Sequence, residues 1–336
     1  MSVDVLTVSY GDAERLLALV QSLAGQTSQS LTLYIWHNGP GQLNESPLQP
    51  SANVRVVVCG NGQNLGYGAG INRIFAVATA PVVVVVNPDV CLASACIQNL
   101  IAAATAIPTP VLVGGALATR DGLVNAFALS LTLDGLGINV DRGKSLAELR
   151  NADAQAAETR AVAPSGALFA VNRAAWFKLG GGPLFVESLF LYLEDVALGL
   201  RVRRLGGALA FCAQAQGQHR FSDTTGPRSA LKLFHVERNR LWLLRALGGR
   251  GLAVATMPFT LGRFAAYAAR SKYRFEGGTA ASAPSTLCSA LLRAWKEGLF
   301  APLPQDLVPY LGVNHANVSL HQYMAPFAAQ LRDPTA

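Results

Sequence analysis

The chain predicts an α/β fold, with a mostly parallel central sheet flanked by helices and a helical appendage toward the C-terminal end. Three observations carry that expectation. Val82 to Val86 form an unbroken run of β-branched residues, which suits a strand buried on both faces of a parallel sheet. Strand-like and helix-like segments alternate through the first third of the chain, as parallel strands joined by right-handed crossovers require. Hydrophobic residues make up 51% of the 336 positions and charged residues 14%, a globular composition long enough for one large domain plus an appendage.

Each element follows from local pattern. Residues 3–9 read as the first strand. Asp12 is placed to cap a helix over residues 13–24, where Leu16, Leu17, Leu19, Val20 and Leu23 share one side. A second strand over 31–36 ends at Asn38-Gly39-Pro40-Gly41, and a Pro/Ser/Gln-rich loop follows. Residues 54–59 form a third strand, closed by the turn Gly60-Asn61-Gly62. A helix over 66–78 leads into the valine strand. Pro88 must end that strand, because it has no N–H for the ladder and forces Asn87 out of helical geometry. A helix over 93–106 and a strand over 111–117 come next. Residues 121–160 carry many Gly, Asp and Asn and read as an irregular segment that could cover a site. A strand-like run from Arg160 passes through Gly166-Ala167-Leu168-Phe169. Glu194 and Asp195 open a helix, a strand ends at Cys212, and the chain beyond Gly226 is mainly helical. These elements divide into domains at 1–226 and 227–336.

The net charge of +7 is concentrated late, from Arg201, Arg203 and Arg204 onward. It points to an anionic partner: a phosphate-bearing substrate, a membrane surface or nucleic acid. The nucleic-acid reading has no reader motif behind it and is set aside. Five cysteines without CxxC spacing fit a reducing compartment and no structural zinc. Asp4 interrupts any basic-then-apolar leader. No apolar stretch reaches the roughly 20 residues of a spanning helix.

Four places hold candidate chemistry. Asp89, just past the carboxyl end of a buried strand, sits where open α/β sheets bind ligands; an Asn-Pro-Asp turn alone would also account for it. In Asn64-Leu65-Gly66-Tyr67-Gly68-Ala69-Gly70-Ile71-Asn72, alternate glycines permit close backbone approach, either to a ligand or between helix and sheet. Glu194 and Asp195 open a helix whose last turn is basic, which matches the helix dipole and also suits a carboxylate kept ionised as a general base. His219, near a strand end, is either a surface histidine or a metal ligand.

In this order the residues resemble the inverting family-2 glycosyltransferases with the nucleotide-sugar-binding α/β (GT-A) fold, especially the rhamnosyltransferase-like branch. The resemblance rests on Thr7-Val8-Ser9-Tyr10, the Asn64–Asn72 segment, Asn87-Pro88-Asp89, Ser165-Gly166-Ala167, Gly180-Gly181, Phe190-Leu191-Tyr192-Leu193-Glu194-Asp195-Val196, Arg201-Val202-Arg203-Arg204-Leu205-Gly206, His219 and Arg238-Asn239-Arg240. It covers residues 1–245. It implies Asp89 as the metal-binding carboxylate, with Asn87 in the first position of the motif, and His219 completing a Mg2+ or Mn2+ site. It implies Asp195 as the base, with Glu194 beside it. Ser9, Tyr10, Asn38, Asn64, Gly66, Gly70, Asn72, Asn87 and Gly166 would hold the nucleotide. One departure is plain: where the family has Asp-Asn-x-Ser after the second strand, this chain has His37-Asn38-Gly39-Pro40.

The expected activity is therefore transfer of a sugar, L-rhamnose from a dTDP-linked donor in the first instance, to a cell-surface glycan or lipid-linked saccharide. The expected setting is cytoplasmic, with peripheral contact at the inner face of the cell membrane through the basic, apolar-rich C-terminal helices. A UDP-linked hexose or furanose donor is the alternative within enzymes. A catalytically silent binding protein, suggested by His37, is the alternative outside them. A dinucleotide-binding oxidoreductase is disfavoured, because the first strand leads into Ser9-Tyr10-Gly11-Asp12 and not a GxGxxG turn.

Overall fold

The computed structural model describes residues 2–11, 13–27, 30–46, 48, 51–60, 62–219, 229–271 and 284–312. Its strands are β1 (Ser2–Ser9), β2 (Ser30–His37), β3 (Val54–Cys59), β4 (Val82–Val86), β5 (Val90–Leu92), β6 (Leu112–Ala118), β7 (Val124–Ala126), β8 (Ala128–Leu131), β9 (Gly137–Val140), β10 (Ala163–Pro164), β11 (Leu168–Asn172) and β12 (Leu209–His219). Its helices are α1 (Ala13–Ala24), α2 (Tyr67–Val77), α3 (Cys96–Ala104), α4 (Asn151–Arg160), α5 (Arg173–Lys178), α6 (Glu194–Arg204), α7 (Ala230–Ala255), α8 (Met257–Ser271), α9 (Pro284–Phe300) and α10 (Leu307–Leu311). Asp12 and Asn61, the cap and turn residues expected from sequence, lie outside the described residues, as do Arg228, Lys272 and Arg274 among the late basic residues. The described residues form two compact units, one of 2–130, 139–190 and 194–219, the other of 131–138, 191–193, 229–271 and 284–312.

The first unit holds a nine-stranded sheet in the order β3-β2-β1-β4-β11-β6-β12-β5, with β7 added on β6. The β1–β2, β2–β3 and β1–β4 pairs are parallel, as is β6–β12. β11 runs antiparallel between β4 and β6. The valine strand is central, and its pleat explains its composition. Val83 and Val85 enter one core with Leu6, Ile71 and Phe169. Val82, Val84 and Val86 enter the other with Val3, Leu33 and Leu100. Neither face meets water, so no polar residue alternates; each buried valine contributes roughly 1.5–3 kcal/mol.

Three segments differ from expectation. Residues 121–160 are not a loop: they contain β7, β8, β9 and α4, and β8 lies between β10 and β9 in a small three-stranded sheet. Strands of three or four residues are too short to show a period. The helix expected from residue 93 begins at Cys96, because the Ala93 N–H still donates to the Gln216 carbonyl at 3.0 Å and a turn over residues 94–95 follows. β12 does not stop at Cys212 but continues, across a register shift between Cys212 and Gln216, to His219. Its second half, Ala213-Gln214-Ala215-Gln216-Gly217-Gln218, alternates inward alanines with outward glutamines and carries no β-branched residue.

In the second unit, α9 packs on α7. Gly298 leaves room for Leu241, whose Cδ1 would stand 2.7 Å from an added Cβ. Arg245 donates to the Gly298 carbonyl at 2.7 Å. Beside them lies a buried ionic cluster. Glu237 accepts from Arg240 Nη2 at 2.6 Å, Arg263 Nη2 at 2.7 Å and Trp295 Nε1 at 3.2 Å. Asp134 accepts from Arg263 Nε at 2.9 Å and Thr260 Oγ1 at 3.0 Å. Two carboxylates thus neutralise two guanidinium groups, as buried charges require.

Candidate active site

The site grows from the end of β4. The Asn87 N–H donates to the Ala167 carbonyl at 3.0 Å, which ties the strand end to the start of β11. Asp89 follows, 7% exposed. β5 then pairs antiparallel with β12, and the register sets His219 opposite Val90, the residue next to Asp89. Two residues far apart in the chain are thereby brought together. Burial lowers the His219 pKa and the Asp89 charge pulls it part of the way back, leaving it below the ordinary value and the ring neutral at pH 7. His219 Nδ1 lies 3.2 Å from Asn125 Oδ1. An amide oxygen only accepts, so Nδ1 carries the proton and Nε2 keeps a lone pair.

This donor set suits half of a divalent-cation site. Mg2+ is commonly held by one or two protein groups, with water and substrate phosphate oxygens completing the shell. Asp89 and the Nε2 of His219 supply groups of the right kind. Among the described residues no group of three or more His, Cys, Asp or Glu could enclose an ion alone.

The second part of the site is the start of α6. The chain reaches it through Phe190, Tyr192 and Leu193, all at positive φ (64°, 69° and 68°). Such conformations cost non-glycine residues of order 1–3 kcal/mol each and persist only when surrounding contacts impose them. The Tyr67 N–H donates to the Phe190 carbonyl at 2.8 Å. Gly66, at φ 85°, leaves the space that the Phe190 backbone occupies. Within the second unit, Asn239 Nδ2 donates to the Leu191 and Tyr192 carbonyls, each at 2.9 Å.

Glu194 and Asp195 emerge with different environments. Asp195 Oδ2 accepts from the Gly166 N–H at 2.9 Å and Oδ1 from the Val196 N–H at 2.8 Å. Burial raises the Asp195 pKa, and these donors hold the rise down. Glu194 is pushed up to about 8, first by burial and then by the Asp195 charge. Its Oε2 is buried without a hydrogen-bond partner. Glu194 is therefore the member of the pair that holds a proton more readily, and Asp195 the member whose charge the backbone stabilises.

Tyr67 links the two parts. Its hydroxyl donates to the Gly166 carbonyl at 2.9 Å. Its pKa is pushed well up, by burial first and then by the charges of Glu194, Asp195 and Asp89. Three carboxylates thus act on one phenol. Tyr67 and Asn125 were not among the site residues expected from sequence. An aromatic residue between two glycines at a helix start was the available signal for Tyr67. Asn125 gave none, because β7 itself was not recognised.

Several residues expected to hold a nucleotide have protein partners. Asn38 Oδ1 accepts from Trp36 Nε1 at 3.0 Å and the Leu65 N–H at 3.1 Å, while Nδ2 donates to the Gly66 carbonyl at 2.8 Å. Asn64 Oδ1 accepts from the Gly66 N–H at 3.0 Å. Asn72 clasps the Phe185 backbone through both amide atoms, at 2.8 and 2.9 Å. A Cβ on Gly70 would meet Trp36 at 2.8 Å and Val8 at 2.9 Å, so this glycine allows α2 to lie close to the sheet. At the ends of β1 and β2, Ser9 is buried and in register with His37, and Tyr10 is 57% exposed. Burial lowers the His37 pKa, and its Nδ1 is buried with no hydrogen-bond partner.

Residues 4–160 match the family model described as glycosyl transferase family 2. The N-acetylglucosaminyl-diphospho-decaprenol L-rhamnosyltransferase of Mycobacterium tuberculosis is 29% identical over 252 residues, covering 69% of this chain and 80% of the relative. Among solved structures, GalNAc-T7 with UDP, GalNAc and Mn2+ aligns with a TM-score of 0.53 at 16% identity, over 74% of this chain and 48% of that one. This likeness shows a shared fold. The mannosyltransferase PcManGT from Pyrobaculum calidifontis, in complex with GDP-Man and Mn2+, aligns with a TM-score of 0.48 at 13% identity, over 99% of this chain and 81% of that one.

Proposed function

Since residues 4–160 are a glycosyl transferase family 2 domain, we propose that this glycosyltransferase moves L-rhamnose from dTDP-rhamnose to a hydroxyl of a lipid-linked saccharide, with inversion at the anomeric carbon. The likeness to the mycobacterial rhamnosyltransferase supports the sugar and the lipid-linked acceptor. A cytoplasmic setting at the inner membrane face follows from such an acceptor. The observation that carries the reading is the β5–β12 register, which sets His219 opposite Val90 and so beside Asp89, in a unit where two backbone N–H groups hold the Asp195 carboxylate.

Asp89 and His219 Nε2 would hold Mg2+ or Mn2+. Bound there, the cation would supply Lewis-acid stabilisation of the charge that gathers on the departing nucleoside diphosphate. Asp195 receives the proton of the acceptor hydroxyl. It can do so because Glu194 is the member of the pair that stays protonated, and because the Gly166 and Val196 N–H groups fix the direction of its carboxylate. Tyr67, hydrogen-bonded to Gly166, holds the peptide that orients Asp195. The nucleotide falls to the ends of β1 and β2, where the His37 Nδ1 has no internal partner. A neutral imidazole there accepts from, or donates to, a base or ribose without adding charge.

A thermal-shift panel of dTDP-, UDP- and GDP-linked sugars, each with Mn2+, tests the donor, since a ligand that binds only the native state raises Tm. The reading expects the largest rise with dTDP-rhamnose, lost when EDTA is added. No rise with any nucleotide sugar, in a protein that unfolds cooperatively, would leave the silent-binder reading standing in its place.

A further inference from the structure

We propose that α8 seats the protein on an anionic lipid surface through the apolar outward face of residues 258–266, an inference that rests on the lipid-linked acceptor proposed above. An ordinary surface helix turns apolar residues inward and polar ones out. α8 does the reverse. Over residues 257–266 its polar residues, Thr260 and Arg263, point inward and bind Asp134 and Glu237. Its exposed residues between 258 and 266 are Pro258, Phe259, Leu261, Gly262, Ala265 and Ala266, none of them polar. At 3.6 residues per turn these span an arc of about 160°. Phe259 and Leu261 are 52% and 55% exposed, and Val254 just before the helix is 58% exposed. Such a face on a folded protein marks an interaction surface.

Charge identifies the occupant. From Arg238 to Phe275 the chain has no Asp or Glu; of its basic residues, Arg238, Arg240, Arg245 and Arg263 are buried or paired within the second unit, which leaves Arg250, Arg270, Lys272 and Arg274. Arg250 is exposed ahead of the face, and Arg270, Lys272 and Arg274 follow it in the chain. A partner must therefore offer an apolar interior and negative charge together, as a bilayer with anionic headgroups does. Arg263 is paired with Asp134 and Glu237 at 2.9 and 2.7 Å, so it serves the fold and not a headgroup.

Flotation of the full chain with phosphatidylcholine vesicles, with and without phosphatidylglycerol and free of any saccharide lipid, tests the proposal. The wild type is expected to float with the anionic vesicles at low salt and to release as salt rises. The Phe259→Ser/Leu261→Ser double variant should keep its Tm and partition about tenfold less. Arg250→Glu should also weaken flotation. A wild type that stays at the bottom overturns the proposal, and so does a double variant that floats like the wild type. A wild-type dimer made monomeric by the double variant, without flotation, assigns the face to a second copy instead. Transfer to a detergent-dispersed acceptor is read in parallel. Lost docking with transfer intact removes this inference alone, and docking with no transfer removes the functional reading alone.

Discussion

Two adjacent carboxylates cannot both keep a charge away from water, and at Glu194 and Asp195 the backbone decides which one does. Asp195 has two N–H donors, while Glu194 Oε2 has none and rises to about 8. Asp195→Asn should therefore leave donor affinity near normal and lower kcat by roughly 10²–10⁴-fold, the usual worth of a general base. Glu194→Gln should keep most of the turnover, because its neutral amide resembles the protonated acid. Steady-state kinetics on both variants decides the roles; a dead Glu194→Gln beside an active Asp195→Asn would exchange them. The acid limb of kcat should lie above the ordinary Asp value of about 3.9, since burial raises the Asp195 pKa and the base must be ionised to act. At the other half of the site, Asp89→Asn should abolish Mn2+-dependent binding of the nucleoside diphosphate and leave the melting temperature close to the wild-type value. Isothermal titration reads this directly, and unchanged affinity would remove Asp89 from the metal site.

At the scale of elements, two features hold α2 close against its neighbours. Asn72 replaces a strand's hydrogen bonds for Phe185, and Gly70 lets Trp36 and Val8 close on the helix. Asn72→Ala leaves a buried N–H and C=O unpaired and should cost about 1–3 kcal/mol. Gly70→Ala overpacks the contact and should cost about 1–3 kcal/mol. Urea unfolding measures both, and a neutral result at either position would mean that the local packing relaxes freely. Asp89 was legible from the chain because a valine run and a proline are local signals. The partner of Asp89 was only half legible. His219 could be named as a candidate, but its place on a strand could not, since β5 is three residues long and the second half of β12 reads as Ala/Gln-rich coil. The glycine string left ligand approach and helix packing equally open, and the space beside Gly70 proves to be filled by Trp36 and Val8.

At the scale of the molecule, the C-terminal helices are basic and apolar-rich in sequence and are expected from that to contact a membrane. The structure puts Arg240 and Arg263 inside with Glu237 and Asp134, and the apolar residues of α8 outside. Pattern could not reveal this, because Asp134 lies far ahead in the chain of the helices it binds and its pairing is purely tertiary. Arg240→Met leaves Glu237 short of a partner and should cost about 3–5 kcal/mol, the usual effect of breaking a buried ion pair, again by urea unfolding. The same unit contains a pH-sensitive group. Burial first, then the Arg238 and Arg293 charges, push His235 down to about 4. Unfolded histidine titrates near 6.5, so the unfolded chain takes up the proton first. The His235 contribution is fully present above pH of about 6.5 and is lost as pH falls toward about 4. Glu194, shifted the other way, adds an opposing slope. The readout is therefore the difference between the wild-type and His235→Gln stability curves, which should close as pH falls through that window. The central claim, that Asp89, His219 and Asp195 form one glycosyl-transfer site, is tested most directly by transfer of radiolabelled rhamnose from dTDP-rhamnose to a diphosphate-lipid-linked saccharide in the presence of Mn2+. The account predicts labelled lipid product from the wild type, none without the cation, and a rate lower by roughly 10²-fold or more in Asp195→Asn. Equal product from the wild type and the Asp195→Asn variant would contradict it.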